Sequence, residues 1–157
     1  VTDRTCGACA ACCYIPAVPS LGKGEYELCR HSSASGCGVY ASRPRECRDY
    51  SCLWLSSELG ELTDRPDRVG LVFDRPSLIE EHADYAGVPF VCAREIHADA
   101  REGERAAELL RRLARAWVVR LTSPDGRTRL TGPAPLIELL MERARARAAA
   151  EAPRSGS

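Results

Sequence analysis

Apolar positions recur regularly from Asp67 to about Ala150 and predict a sequence of elements. Val69-Gly70-Leu71-Val72-Phe73 reads as a strand, followed by a loop and a short turn at Pro76 to Ala83. Val88 to Ile96 reads as a second strand, with Val88, Phe90, Cys92 and Ile96 on one face. Ala106, Leu109, Leu110, Leu113 and Trp117 fall at i, i+3, i+4, i+7 and i+11, one stripe of an amphipathic helix. Val118 to Thr122 and Arg127 to Thr131 flank Ser123-Pro124-Asp125-Gly126, whose turn chemistry predicts a hairpin. A last helix is expected from Pro135 to Ala150. Pro135 suits its first turn, and Leu136, Ile137, Leu140, Met141 and Ala144 form its apolar face. Residues 67–150 therefore read as a small α+β layer, about four mostly antiparallel strands packed on one or two helices, and 151–157 as a disordered tail.

Residues 6–55 follow no such pattern. Turn formers are frequent there (Pro16, Pro19, Gly22, Gly24, Gly36, Gly38, Pro44) and long aliphatic runs are missing. A segment of this kind buries too little apolar area to offset its chain entropy and needs covalent or metal staples. The expected organisation is one domain over 1–157, with a cysteine-rich, metal-stapled region packed on the α+β layer.

Composition narrows the function classes. The chain has 157 residues, 45% hydrophobic and 28% charged, which is ordinary for one globular domain. No run approaches the roughly 20 apolar residues that span a bilayer, so no membrane association is expected. Val1-Thr2-Asp3-Arg4 has neither a basic start nor an apolar core, and no signal peptide is read there. The expected location is the cytoplasm. Charge balances at 22 basic and 22 acidic residues, without the basic excess that phosphate neutralisation demands, so nucleic acid is not an expected partner. Arg143, Arg145 and Arg147 read as a solvated helix face.

The cysteines change the picture. Of nine, eight fall in the first third, at Cys6, Cys9, Cys12, Cys13, Cys29, Cys37, Cys47 and Cys52. Spacing of i, i+3 and i+6 lets one tight turn aim the sulfurs of Cys6, Cys9 and Cys12 at a common centre, which suits tetrahedral zinc and iron–sulfur clusters alike. Cys12 and Cys13 are adjacent, and neighbouring side chains diverge by about 100° on a helix, so as ligands they most simply serve two centres. Cys29, Cys37, Cys47 and Cys52 lie too far apart for a tight knuckle and must be gathered by the fold. His31 is a candidate nitrogen ligand or donor to a thiolate, the alternative being a partly exposed loop histidine. Arg30, Arg43, Arg45 and Arg48 are interleaved with the late cysteines and could offset thiolate charge, or form surface pairs with Glu46 and Asp49. A disulfide framework is the competing account of the cluster; the adjacent pair and the sulfur-poor layer that follows speak against it.

Taken in order, Cys6-Gly7-Ala8-Cys9-Ala10-Ala11-Cys12-Cys13, Cys29-Arg30-His31, Gly36-Cys37-Gly38-Val39-Tyr40, Arg43-Pro44-Arg45-Glu46-Cys47-Arg48-Asp49-Tyr50, Cys52-Leu53-Trp54-Leu55 and Arg65-Pro66-Asp67 resemble the CxxCxxCC proteins. These are also called YkgJ family cysteine cluster proteins and are described as zinc- or iron-chelating domains. The resemblance covers about Cys6 to Val72. It implies metal chelation by the eight cysteines, with Tyr40, Arg43, Pro44 and Tyr50 as the framework around them. Tyr40, Tyr50 and Trp54 can also be read as an aromatic cover that limits water access to the sulfurs.

Two functions compete at this level. The first is a metal-binding protein that chelates zinc (or iron) through its thiolates at two centres, without catalysis of its own. The second is a [4Fe-4S] iron–sulfur protein with a redox or electron-transfer role; the fourth cysteine of a ferredoxin run is replaced by Pro16, so its last ligand would come from Cys29 onward. If the chain is an enzyme, an iron–sulfur oxidoreductase-like activity is the expectation. No Gly-rich phosphate loop, nucleophile elbow or HExxH helix is present. His82 and His97 lie outside the cluster without evident partners in the sequence; Glu80-Glu81-His82 reads as an exposed loop or helix face, and Cys92 as a small core residue beside Phe90 and Ile96.

Overall fold

The computed structural model describes residues 4–75 and 83–151. Elements run α1 (Ala11–Tyr14), β1 (Ser32–Ser33), β2 (Gly36–Cys37), α2 (Arg45–Asp49), α3 (Pro66–Val69), β3 (Leu71–Asp74), β4 (Phe90–Glu95), α4 (Glu104–Leu113), β5 (Val118–Thr122), β6 (Thr128–Thr131) and α5 (Ala134–Glu151). Pro66 presets the first turn of α3, and Gly70 ends it at φ +80 before the chain enters β3. Val69 thus belongs to a one-turn helix instead of the expected strand. Such a helix is too short to show a period. Of the turn expected at Pro76 to Ala83, residues 76–82 lie outside the described residues, as do Glu80, Glu81 and His82; Ala83–Tyr85 form a 3-10 turn.

The main sheet has the order β3-β4-β5-β6. β3 and β4 are antiparallel, from Leu71 opposite Glu95 to Asp74 opposite Cys92. β4 and β5 are parallel, because α4 crosses over between them. β5 and β6 form the expected hairpin, closed by Gly126 at φ +82. Two of the three pairings are antiparallel, and the class is α+β.

Alternation along the strands divides the core. Leu71, Phe73, Val91, Ala93, Val119 and Leu121 face α4 through Ala106 and Leu109. Leu53 and Leu59 join this cluster from the loop that follows Cys52. Helix α4 stops at Leu113, short of Trp117, although Trp117 still packs on the same core through a final turn. On the opposite face, Phe90, Cys92 and Val118 pack against Leu136, Ile137 and Leu140 of α5, while Val72 packs against Ala11 and Ile15. That face is shared between α5 and the cysteine region. Cys92 is 1% exposed and accepts an N–H from Arg120 at 3.3 Å, a core position as expected. Helix α5 ends at Glu151, and 152–157 lie outside the described residues. No described helix is long and apolar enough to cross a membrane.

One ion pair ties the 59–64 loop to α4. Arg105 donates to both oxygens of Asp64, at 2.7 and 2.6 Å, and Asp64 also accepts the Glu61 N–H at 2.7 Å. The Arg105 guanidinium holds the Asp64 carboxyl below the usual carboxylate range. A depressed acid stabilises fully above its unfolded value and loses that contribution as pH falls through the folded one. Arg105→Ala is expected to lower stability near neutral pH, because it leaves the buried Asp64 carboxylate without its cation. Urea titrations at pH values on either side of about 3.9 check this: part of the wild type's acid-induced loss of stability should be missing in the variant.

Candidate metal centre

The cysteine region is built from turns pinned to the sheet. Cys9 donates its N–H to the Cys6 carbonyl at 2.9 Å, closing a turn in which Gly7 adopts φ +51. The chain then enters α1, which carries Cys12 and Cys13 and is followed by Ile15, 0% exposed against Val72. Leu53 N–H bonds the Phe73 carbonyl at 2.8 Å and holds Cys52 beside β3. Cys6, Cys9, Cys12 and Cys52 consequently line one void of about 30 Å³, together with Cys47, Arg43, Trp54 and Val72. Burial pushes the Cys9 and Cys52 thiols up, each aided by other members of the set.

The remaining four meet on the other side of α1. Cys29 N–H bonds the Cys13 carbonyl at 2.8 Å; Cys37 lies in the β1–β2 ribbon, and Cys47 in α2. The Cys12 thiol donates to the Cys13 sulfur, and with contacts from Cys37 and Ser32 this pulls Cys13 down to about 6 despite its burial. Cys12 is pushed up by the same bond, then by burial and the neighbouring thiols. Burial also raises Cys47, with Cys29, Cys13 and Cys37 adding to it. The eight thiols therefore form one cluster around two adjoining spaces, with Cys12 hydrogen-bonded to Cys13 at its middle and Cys6, Cys9, Cys12 and Cys47 lining both spaces. The ribbon lies directly on the first turn: a Cβ at Gly36 (φ +112) would sit 2.5 Å from the Gly7 oxygen.

Nearby cations differ from the sequence expectation. Arg30 donates to the Leu21 carbonyl at 2.7 Å, and Arg48 to that of Arg43 at 3.0 Å. Arg45 pairs with Asp49 at 3.1 Å, and Arg43 stacks 3.7 Å over the Tyr40 ring. These arginines are occupied by carbonyls, a carboxylate and a ring. Lys23 stands by the second set instead. Lys23 is 6% exposed, and its ammonium donates to the carbonyls of Tyr14, Pro16 and Gly24 at 3.0, 2.6 and 2.9 Å, using all three protons. Burial lowers its pKa, and Cys29, Glu27, Cys13 and Cys47 oppose that. Arg65, bidentate on Asp67 at 2.7 and 2.9 Å, lies by Cys6 and Cys9.

Sequence reading overlooks Lys23, yet a signal exists: it is the only lysine among 22 basic residues. A ring of three carbonyls suits a compact ammonium and not a planar guanidinium.

A cavity of about 480 Å³ opens beside the second set, lined by Cys13, Cys29, Cys37, Cys47 and Lys23 and reached by Cys6, Cys9 and Cys12. At one end Tyr50 donates to Asp74 at 2.9 Å, with Arg94 3.4 Å from the same carboxylate. Burial, then the charge of Asp74, pushes the Tyr50 hydroxyl well up. His31 is half-buried on the cavity wall. Of the expected aromatic cover, Tyr50 and Trp54 are in place, while Tyr40 is 50% exposed at the rim.

All nine cysteines are free thiols. Among the described residues, no three His, Cys, Asp or Glu side chains are arranged to hold a metal ion as they stand. The donor chemistry is that of a site for a thiophilic ion: eight soft sulfurs gathered around two adjoining spaces with largely hydrophobic walls. Compared with known proteins, the chain matches no family model, no curated protein and no solved structure.

Lys23→Met leaves three carbonyls without their donor and should lower unfolding free energy by about 2–3 kcal/mol, whereas Ala17→Ser on the same loop should cost little. Urea denaturation of the reduced, metal-free protein provides the comparison.

Proposed function

We propose that this chain is a metal-binding protein, without catalysis of its own, that chelates zinc (or iron) through two four-cysteine centres. One consists of Cys6, Cys9, Cys12 and Cys52, the other of Cys13, Cys29, Cys37 and Cys47. The observation that carries the proposal is the gathering of all eight N-terminal cysteines, none in a disulfide, around two adjoining spaces. Resemblance to the CxxCxxCC proteins supports the same reading.

Zinc is favoured at the first centre. Its void of about 30 Å³ is small and suits a single ion better than a four-iron core. Four thiolates on a divalent ion carry about −2, and both charges must be tolerated close together. Lys23 contributes a positive charge beside Cys29, Cys13 and Cys47, while Arg65 by Cys6 and Cys9 is paired with Asp67.

A filled four-sulfur site leaves no coordination position for a substrate, which fits a structural or carrier role. Cysteine ligands must shed their protons to bind, so loading should be proton-coupled and reversed by acid.

Single-site variants test the partition. Cobalt(II) loaded anaerobically should give tetrahedral thiolate bands, with two equivalents bound by the wild type. Cys52→Ser and Cys37→Ser should each retain one equivalent, and the double variant none. Loss of both equivalents from either folded single variant would contradict the two-centre partition, and failure of the wild type to bind any would contradict metal binding.

A further inference from the structure

We infer that Cys13 and Cys37 are an oxidisable pair, which a peroxide joins as a reversible disulfide in the metal-free chain. The pair stands on thiol geometry alone, and its consequence for metal capacity rests on the reading above.

Main-chain bonds bring the two residues together from separate parts of the cysteine region. The Cys13 carbonyl accepts the Cys29 N–H at 2.8 Å, and the Cys29 carbonyl accepts the Ser32 N–H at 2.9 Å. Ser32 lies opposite Cys37 in the β1–β2 ribbon, and the Gly38 N–H fastens the ribbon to the His31 carbonyl at 2.8 Å. The ribbon is seated against the first turn, where Gly36 meets the Gly7 oxygen. At the end of this path the Cys37 thiol hydrogen-bonds the Cys13 sulfur.

Other partners are less well placed. Cys12 also bonds Cys13, but adjacent side chains on one helical turn diverge by about 100°, away from the Cβ approach of roughly 3.5–4.5 Å that a disulfide demands. Cys47 acts on Cys13 and Cys37 through charge, without a hydrogen bond. Cys92 is enclosed in the sheet core.

Access comes through Cys37. It is half-buried on the wall of the cavity of about 480 Å³, whereas Cys13 is 9% exposed. Hydrogen peroxide is small enough to enter there. It oxidises the Cys37 thiol to a sulfenic acid, releasing one water. The Cys13 sulfur then displaces the sulfenic oxygen as a second water. The two sulfurs lose the two electrons that the O–O bond takes up. A dithiol restores both thiols and is itself oxidised to a cyclic disulfide. While the bond lasts, two sulfurs are withdrawn from the proposed ligand set.

Metal-free protein treated with equimolar hydrogen peroxide, alkylated and digested with trypsin without reduction tests the pair. Residues 5–23 should be joined to residues 31–45, which carry Cys37 alone, and fragmentation should place the bond at Cys13. Thiols titrated in urea should fall by two, from nine to seven, and dithiothreitol should restore them. Cys12→Ser should keep the link and Cys37→Ser should lose it. Oxidised protein should bind one equivalent of cobalt(II) fewer than reduced protein. A bond placed at any other cysteine, or an unchanged thiol count, overturns the pair; full cobalt binding by the linked protein overturns its consequence. Reduced protein that binds no cobalt overturns the metal reading and leaves the mapped link as the measure of the pair.

Discussion

The ammonium of Lys23, enclosed by the carbonyls of Tyr14, Pro16 and Gly24, organises the part of the molecule that has no aliphatic core of its own. It draws the 14–24 loop into a closed shape immediately before Cys29. The loop is fastened further by the Val18–Lys23 bridge and by the Tyr26 N–H on the Ile15 carbonyl at 3.0 Å. A buried positive charge is costly unless negative charge lies nearby, and the groups offering it are thiols as well as Glu27. The same contact thus serves chain geometry and sulfur electrostatics. Its dependence on a small, spherical cation explains why the single lysine of an arginine-rich chain stands here.

The α+β layer supplies the rigidity that this loop region lacks. One face of the sheet is closed by α4; the other is divided, with α5 over β4 and β5 and the cysteine region over β3. Because Val72 and Asp74 share a face of β3, one strand presents an apolar seat to Ile15 and, two residues on, a carboxylate to Tyr50. Leu53 and Leu59 thread through to the α4 side, so the segment just after Cys52 is held by the main core. Anchoring at Ile15 and Leu53 brackets the first thiol set. Cys37 and Cys47 are carried by the β1–β2 ribbon and α2, and the larger space is lined by cysteines from both sides of α1.

Periodic segments were legible because burial imposes a period on them. The strand Val118–Thr122 and the following hairpin match the expectation, and α5 runs within a residue of its predicted ends. Failures occur where one residue overrides a pattern: Gly70 converts the start of a strand into a helix end, and the stripe through Trp117 outlasts the helix that carries it. The parallel β4–β5 pairing was hidden because strand pattern alone does not reveal direction. In the cysteine region, the turn holding Cys6 and Cys9 follows from local spacing. The company kept by Cys52 does not, since it joins the early cysteines across a long loop while Cys29, Cys37 and Cys47 gather around Cys13. Arginines interleaved in sequence with the late cysteines turn out to face carbonyls, an aspartate and a tyrosine ring, and the cations near sulfur come from Lys23 and Arg65.

Thiols crowded without disulfides, seated beside buried or paired cations, form an arrangement that bound metal would complete. The most direct test is elemental analysis, with an optical spectrum, of protein purified without oxygen and without added metal. The account predicts about two zinc ions per chain and no visible colour. Iron with inorganic sulfide and a brown spectrum would replace zinc by clusters, and metal-free protein whose thiols remain fully reactive would contradict the account.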